Sequence, residues 1–500
     1  MQGSLSSIDI GVLILYATIM VGMGVYFTKK TRTATQFMVA DRSIPAWAAG
    51  LAVMSAYTSS LSYIATPGKS FDENWNPMIF ALVILPVAWG VTRYVIPYYR
   101  KTQTISVYTF LEERLGSWGR IYAAFSFVLY MIGRTAVILY LASLLLSTFV
   151  PWNIVWIIIL IGAITIVYTL LGGMEAVIWT DVLQSAVMII GILFCAIMLA
   201  LKVFAKPEYL IQTALDANKF SFGSLDFSLT SRTVWVMIIY GVTENLRNLI
   251  ADQNYVQKYA SVGTLKEARS SVWTAMLIYI PLTAIFLFIG TTLFSFYSAN
   301  GTELPASITK GDQVFPYFIA TQVPLGLRGL MIAAILAAAM STIDSALNCS
   351  ATVLLIDFYK RYFRPTISER ASILFLRLTT VVWGILGTGF ALFMIRARSA
   401  LEIWWQISGI FGGGILGLFL LGLFRVRLKL WQGLCVIGVS ILVIAWGTFA
   451  RDLPDTWQRF ECALDPILVG ATGTFALLVT AMIFALVNPR NKTKESINVS

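Results

Sequence analysis

The chain has 500 residues, 58% of them hydrophobic and only 12% charged, with a formal net charge of +11. Soluble domains carry about 25% charged residues, and no soluble core is assembled from apolar runs of about twenty residues repeated along a whole chain. A soluble protein is therefore excluded, and the absence of histidine removes Ser-His-Asp and Cys-His hydrolases, His-held zinc or haem, and histidine proton relays.

Taken in chain order, the apolar runs predict spans near residues 8–28, 45–66, 77–97, 121–149, 153–171, 176–201, 233–252, 271–297, 325–357, 371–395, 402–424, 430–449 and 464–487. This is an all-α polytopic membrane protein with about 13 transmembrane helices, and the lipid bilayer is its first partner. The first run has no basic stretch before it, whereas Lys29, Lys30 and Arg32 follow it, so it reads as a retained span with its N-terminus outside. In that orientation the inner loops hold about twice as many Lys and Arg as the outer ones, and the C-terminus is cytoplasmic. The basic charge is thus a membrane address, and nucleic acid is not a partner. Polar stretches at 98–120, 202–232 and 298–324 are too short to fold as domains. The four cysteines (Cys195, Cys349, Cys435, Cys462) have the spacing of neither a metal cluster nor a disulfide framework.

Two spans are interrupted by polar residues: the second by SAYTSSLS at 55–62 and the seventh by GVTENLRN at 241–248. Lying five spans apart, they cross the membrane in opposite directions. Unwound backbone cannot face lipid and must line a cavity, and paired interruptions of this kind point to a transporter's midplane binding site. The ninth span contains AAAMSTIDS at 337–345, where hydroxyls at Ser341, Thr342 and Ser345 and the Asp344 carboxylate fall within little more than one helical turn. Those oxygens, with carbonyls freed between Ser55 and Thr58, suit a hard cation such as Na⁺. Hydroxyls that only bond back to the preceding turn are the plainer alternative. Asp181, in IWTD at 178–181, is either an acid facing a cavity or a helix-start residue at the cytoplasmic rim. Arg134, in MIGRTA at 131–136, has no acid within a helical turn; its planar fork suits either a substrate carboxylate or a distant structural partner. Glu244 and Arg247 stand at i,i+3 and can neutralise each other.

With these residues in view, the chain resembles the sodium/solute symporter family of sodium-glucose, sodium-proline and sodium-sialic acid transporters. The likeness is carried by YTLLGGMEA at 168–176, DQNYVQKY at 252–259, STIDSALN at 341–348 and GLFLLGLF at 417–424. It implies the LeuT-type 5+5 inverted repeat. The parts would be an extra helix and loop over 1–44, a first five-helix repeat over 45–202, an extracellular loop over 203–232, a second repeat over 233–425, and two further helices with a short tail over 426–500. It also implies Na⁺ as the coupling ion at the family's second site, held by the carbonyls of Ser55, Thr58 and Ala338 and the hydroxyls of Ser341 and Thr342. PAWAAG at 45–50, IGR at 132–134 and VIWTDV at 177–182 resemble bacterial sialic-acid symporters in particular. By that likeness Arg134 would hold a substrate carboxylate and Ser59 and Ser62 the rest of the solute. An additional Na⁺ site would fall at Asp181, Ser341, Asp344 and Ser345.

The sequence departs from that pattern in places. Tyr57 stands where those proteins have a small threonine, Asp344 replaces a serine and Arg247 an uncharged amide residue. The segment after Pro67 is about three residues shorter, and the third span offers no match to their substrate-binding glutamine. Tyr57, Asn245 and Arg247 join Arg134, Ser59 and Ser62 as candidate substrate contacts. The reading is a Na⁺-coupled symporter, functional as a monomer in the cell membrane, that imports a small, carboxylated organic solute such as sialic acid. The alternatives are a neutral sugar or other polar solute, or an uncoupled facilitator on the same fold; an enzyme is not expected.

Overall fold

A computed structural model describes residues 5–487 except 30, 104, 205–206, 300–303, 307, 397–407 and 452–454. The expected tail beyond 487 and the start of the span predicted at 402 lie outside the described residues. The first helix, α1 (Ser7–Thr28), begins with a capping box in which Ser6 receives the Asp9 N–H and Asp9 returns the bond to Ser6. Asp9 Oδ1 also accepts the N–H groups of Gly326 and Gly329 at 2.8 Å each, which moors α1 to the chain leading into the ninth predicted span. The short helix α2 (Ala34–Val39) follows.

The second predicted span is two helices, α3 (Ala46–Tyr57) and α4 (Ser60–Asp72). They part at Thr58, whose φ of −107° and ψ of 101° are extended. Next come α5 (Met78–Gly90), joined through a π turn to α6 (Ile96–Thr102), then α7 (Thr109–Leu115) and α8 (Ser117–Leu146). The fifth and sixth spans run as one helical stretch, α9 (Ile154–Phe204), divided at Gly173, whose φ of 60° and ψ of −156° only glycine adopts readily.

After α10 (Pro207–Asp216), the seventh span departs from expectation. Helix α11 (Val234–Leu246) continues through a π turn (Arg247–Ala251), and the extended residue is Asp252, beyond the polar run at 241–248. Glu244 and Arg247 pair within the helix, so their charges do not open it. Asp252 then caps α12 (Gln253–Ala260), a helix where the sequence suggested an inner loop.

The remaining helices are α13 (Leu265–Ala299), α14 (Val314–Gln322), α15 (Leu327–Val353, prolonged by a π segment to Phe363), α16 (Glu369–Met394), α17 (Gly413–Leu423), α18 (Leu430–Phe449) and α19 (Val469–Val487). Among the described residues nine helical stretches are long and apolar enough to cross a membrane; α3 and α17 are shorter apolar helices. The core centres on α15, whose residues from Ala337 to Val353 are all buried. Helix α13 lies along both halves of the broken span: Gly50 of α3 fits against Thr274, and Gly290 fits against the Pro67 carbonyl of α4. Any side chain at either glycine would push the helices apart.

Candidate functional site

The helix break between α3 and α4 exposes backbone polar groups at membrane depth, and two residues from other helices meet them. Ala56 O accepts from Arg134 Nη2 of α8 and from the Tyr255 hydroxyl of α12, both at 3.0 Å. The Arg134 guanidinium sits 6.0 Å from the Tyr255 ring centre. Arg134 makes no ion pair among the described residues and is nearly fully buried. Beside it, Tyr57 packs between the rings of Tyr255 and Tyr279, at 4.7 and 5.2 Å between centres. Ser62 Oγ accepts the Ser59 N–H at 3.3 Å and starts α4.

Behind the break lies the oxygen-rich face of α15. Ser341 Oγ and Thr342 Oγ1 both reach Ala338 O at 3.2 Å, so three of the five expected second-site oxygens are gathered on one turn. Ser55 and Thr58 are completely buried, as are Ser341 and Thr342. Hydroxyls bonded to their own helix carbonyl are free to turn outward when a cation offers a better contact.

Asp181 and Asp344 form a second polar cluster. Asp344 Oδ2 receives the Tyr168 hydroxyl at 2.9 Å, with Thr180 Oγ1 at 3.5 Å, and Ser345 Oγ reaches Oδ1 at 3.2 Å. Asp181 stands in the second half of α9, past the Gly173 division, and is fully buried rather than at a rim. Its partner is Lys258 of α12, with Nζ 2.9 Å from Oδ2. The sequence reading placed Lys258 among cytoplasmic loop charges; the structure buries it completely. Only its position just past a polar-interrupted span hinted at this. Tyr168, Thr180 and Tyr255 were likewise missed as contacts, although Tyr168 and Tyr255 lie inside family motifs.

The expected substrate residues do not all converge. Arg247 is engaged on every side: by Glu244, by Asp252 Oδ2 at 3.4 Å, by the Tyr130 hydroxyl at 3.2 Å and by Asn248 Oδ1 at 3.1 Å. Asn245 donates to Phe80 O at 3.2 Å. A cavity of about 90 Å³ is lined by Tyr240, Thr243, Glu244, Arg247, Gly412 and Thr474 among others, but not by Arg134, Ser59 or Ser62.

A helix broken at its centre, buried hydroxyls opposite it and charges held at depth define an ion-coupled secondary transporter of the LeuT fold. The sodium:solute symporter family model matches residues 37–433, and the chain belongs to that family. It is 34% identical over 486 residues to the sodium/sialic acid symporter SiaT of Proteus mirabilis, covering 96% of this chain and 95% of that one. It is 31% identical over 465 residues to the sodium/sialic acid symporter NanT of Aliivibrio fischeri, covering 92% and 91%. Its backbone matches a solved Na⁺-coupled sialic acid symporter, substrate-bound and outward-open, with a TM-score of 0.88 at 31% identity over 97% of this chain and 98% of that one. Sodium is therefore the coupling ion and symport the activity class.

Proposed function

We propose that the chain imports a small carboxylated solute with Na⁺, sialic acid or a related acidic sugar being the first candidate. The observation that supports the acidic substrate is Arg134: a buried guanidinium at the helix break, held by a neutral carbonyl and an aromatic face, with Asp252 acting on it from beyond contact distance and no ion pair among the described residues. A carboxylate is the ligand that matches its charge and its fork. Tyr57, Ser59, Ser62 and Asn245 would border the solute, and Arg247 would close the wall from the π turn after α11. Na⁺ would sit at Ser55, Thr58, Ala338, Ser341 and Thr342, with an additional site at Asp181, Ser341, Asp344 and Ser345. The chain would work as a monomer in the cell membrane, N-terminus outside and C-terminus inside. The repeats would span 45–202 and 233–425, with 1–44, 203–232 and 426–500 as the additions.

A second reading, a neutral sugar or other polar solute, is favoured by the bond that Arg134 already makes to Ala56 O. Uptake into proteoliposomes of sialic acid, a monocarboxylate and a neutral sugar, each with and without a Na⁺ gradient, separates the two. Sodium-dependent uptake of the acids alone is expected; uptake of the neutral sugar alone would overturn the acidic reading, and uptake indifferent to Na⁺ would indicate a facilitator. Ser341→Ala with Thr342→Ala should raise the Na⁺ concentration for half-maximal uptake at least several-fold, and unchanged sodium dependence would remove the second-site assignment.

A further inference from the structure

The cluster around Asp181 contains two acids and one base, all completely buried: Asp181, Asp344 and Lys258. Lys258 is sixth in α12, the helix that starts straight after the break at Asp252. Its Nζ lies 2.9 Å from Asp181 Oδ2 and donates to Ala52 O on α3 at 3.0 Å. Among the described residues Asp344 has no such base at contact distance. Its contacts are hydroxyls, from Tyr168 at 2.9 Å, Ser345 at 3.2 Å and Thr180 at 3.5 Å. Electrostatically it faces both Asp181 and Lys258.

With both carboxylates ionised, the one ammonium leaves a single uncompensated negative charge at membrane depth, where an unpaired charge is costly. The two acids are not equivalent in meeting that cost. Asp181 is matched at contact distance by a cation covalently tied to the chain. Asp344 is surrounded by neutral oxygens, the donor type that a hard monovalent cation accepts.

We propose that Lys258 is the built-in counter-cation of Asp181, so that this cluster takes one exchangeable Na⁺, at Asp344, and not two. The inference rests on the reading of 181, 341, 344 and 345 as an additional cation site. A tethered ammonium supplies the charge that a second ion would bring, yet it cannot be released to either side. It therefore sets the cation count without taking part in transport. The extra acid at 344 restores the charge that lets the cluster bind a mobile ion at all.

The experiment is equilibrium binding of radioactive Na⁺, with no solute present, to the purified full-length chain, counting ions per protein. Lys258→Gln should bind one more Na⁺ than the parent, because Asp181 then lacks its partner. Lys258→Arg keeps a cation against Asp181 and should keep the parent count. Asp344→Asn should bind one fewer. An unchanged count in folded Lys258→Gln, a higher count in Lys258→Arg, or an unchanged count in Asp344→Asn would each overturn the proposal. Where Lys258→Gln fails to fold, Lys258→Met takes its place, and the Asp344→Asn count still decides whether the exchangeable ion sits at Asp344. Thr342→Ala belongs only to the second site; its failure to remove an ion would sink that assignment and leave the Lys258 comparison readable.

Discussion

At the scale of single residues, Arg134 is the sharpest test of the substrate class. Its guanidinium carries donors in a fixed fork, and the structure satisfies one of them with Ala56 O at 3.0 Å. Hydrogen bonds to a charged group contribute about 1.5–3 kcal/mol each, so a bidentate carboxylate contact would dominate binding. Arg134→Lys keeps the charge but not the fork, and should weaken binding about tenfold or more. Arg134→Ala should nearly abolish it while Na⁺ binding and thermal stability survive. Isothermal titration of each variant with the solute identified by uptake measures both effects. Full affinity in Arg134→Ala would end the carboxylate role. A broad loss of thermal stability would instead make Arg134 the clasp of the α3–α4 break, since Ala56 O would lose one of its two donors.

At the scale of elements, the breaks were legible to different degrees. The α3–α4 break announced itself as a hydroxyl-rich run in an apolar span, because Ser and Thr compete with the helix for backbone bonds. The break after α11 was read too early. Charged residues at 244 and 247 look disruptive in sequence, but an i,i+3 pair satisfies itself and leaves the helix intact. The true break at Asp252 carries only an N-capping acid, which reads as the start of a loop. Lys258 was hidden for a related reason: its partner Asp181 is distant in sequence, and a lysine after a span is usually a cytoplasmic anchor. The grouping of Ser341 and Thr342 about Ala338 O was legible because a single turn of α15 contains all three. The division of α9 was visible as two apolar runs, and its physical basis is Gly173. A Cβ there would meet the Phe37 backbone at 2.9 Å and force a side chain into a conformation that only glycine tolerates. Such backbone strain costs about 1–3 kcal/mol. Gly173→Ala should therefore lower the melting temperature in detergent and reduce uptake. Gly389→Ala, on α16 where nothing lies within 4 Å, should change neither. Equal melting temperatures for the two variants would show that the turn is not strained.

At the scale of the whole molecule, the two ends of the bundle carry different charge arrangements, and the proposed orientation in the membrane can be tested against them. At one end Arg120 binds Asp357 at 2.7 Å and also Glu112, which Arg361 bridges in turn, tying α7, α8 and the end of α15 together. At the other end Lys219 donates to Asp72 O at 3.0 Å, and Asp72 accepts the Gly311 N–H at 3.0 Å, closing loops over the end of α4. One end is tied by ion pairs and the other by hydrogen bonds, and these local contacts do not distinguish inside from outside. The distinguishing quantity is the excess of Lys and Arg in the loops on the Arg361 side, which a membrane potential and anionic inner lipids would retain in the cytoplasm. The Leu225 side should then face out and the Tyr362 side in. Both residues are well exposed, at 74% and 49%, and Cys435 is the exposed cysteine among the four. In a Cys435→Ala background, Leu225→Cys should react with a membrane-impermeant maleimide on intact cells. Tyr362→Cys should react only after the membrane is permeabilised. Labelling in the opposite order would invert the topology, and with it the direction in which the broken helices present sodium and solute.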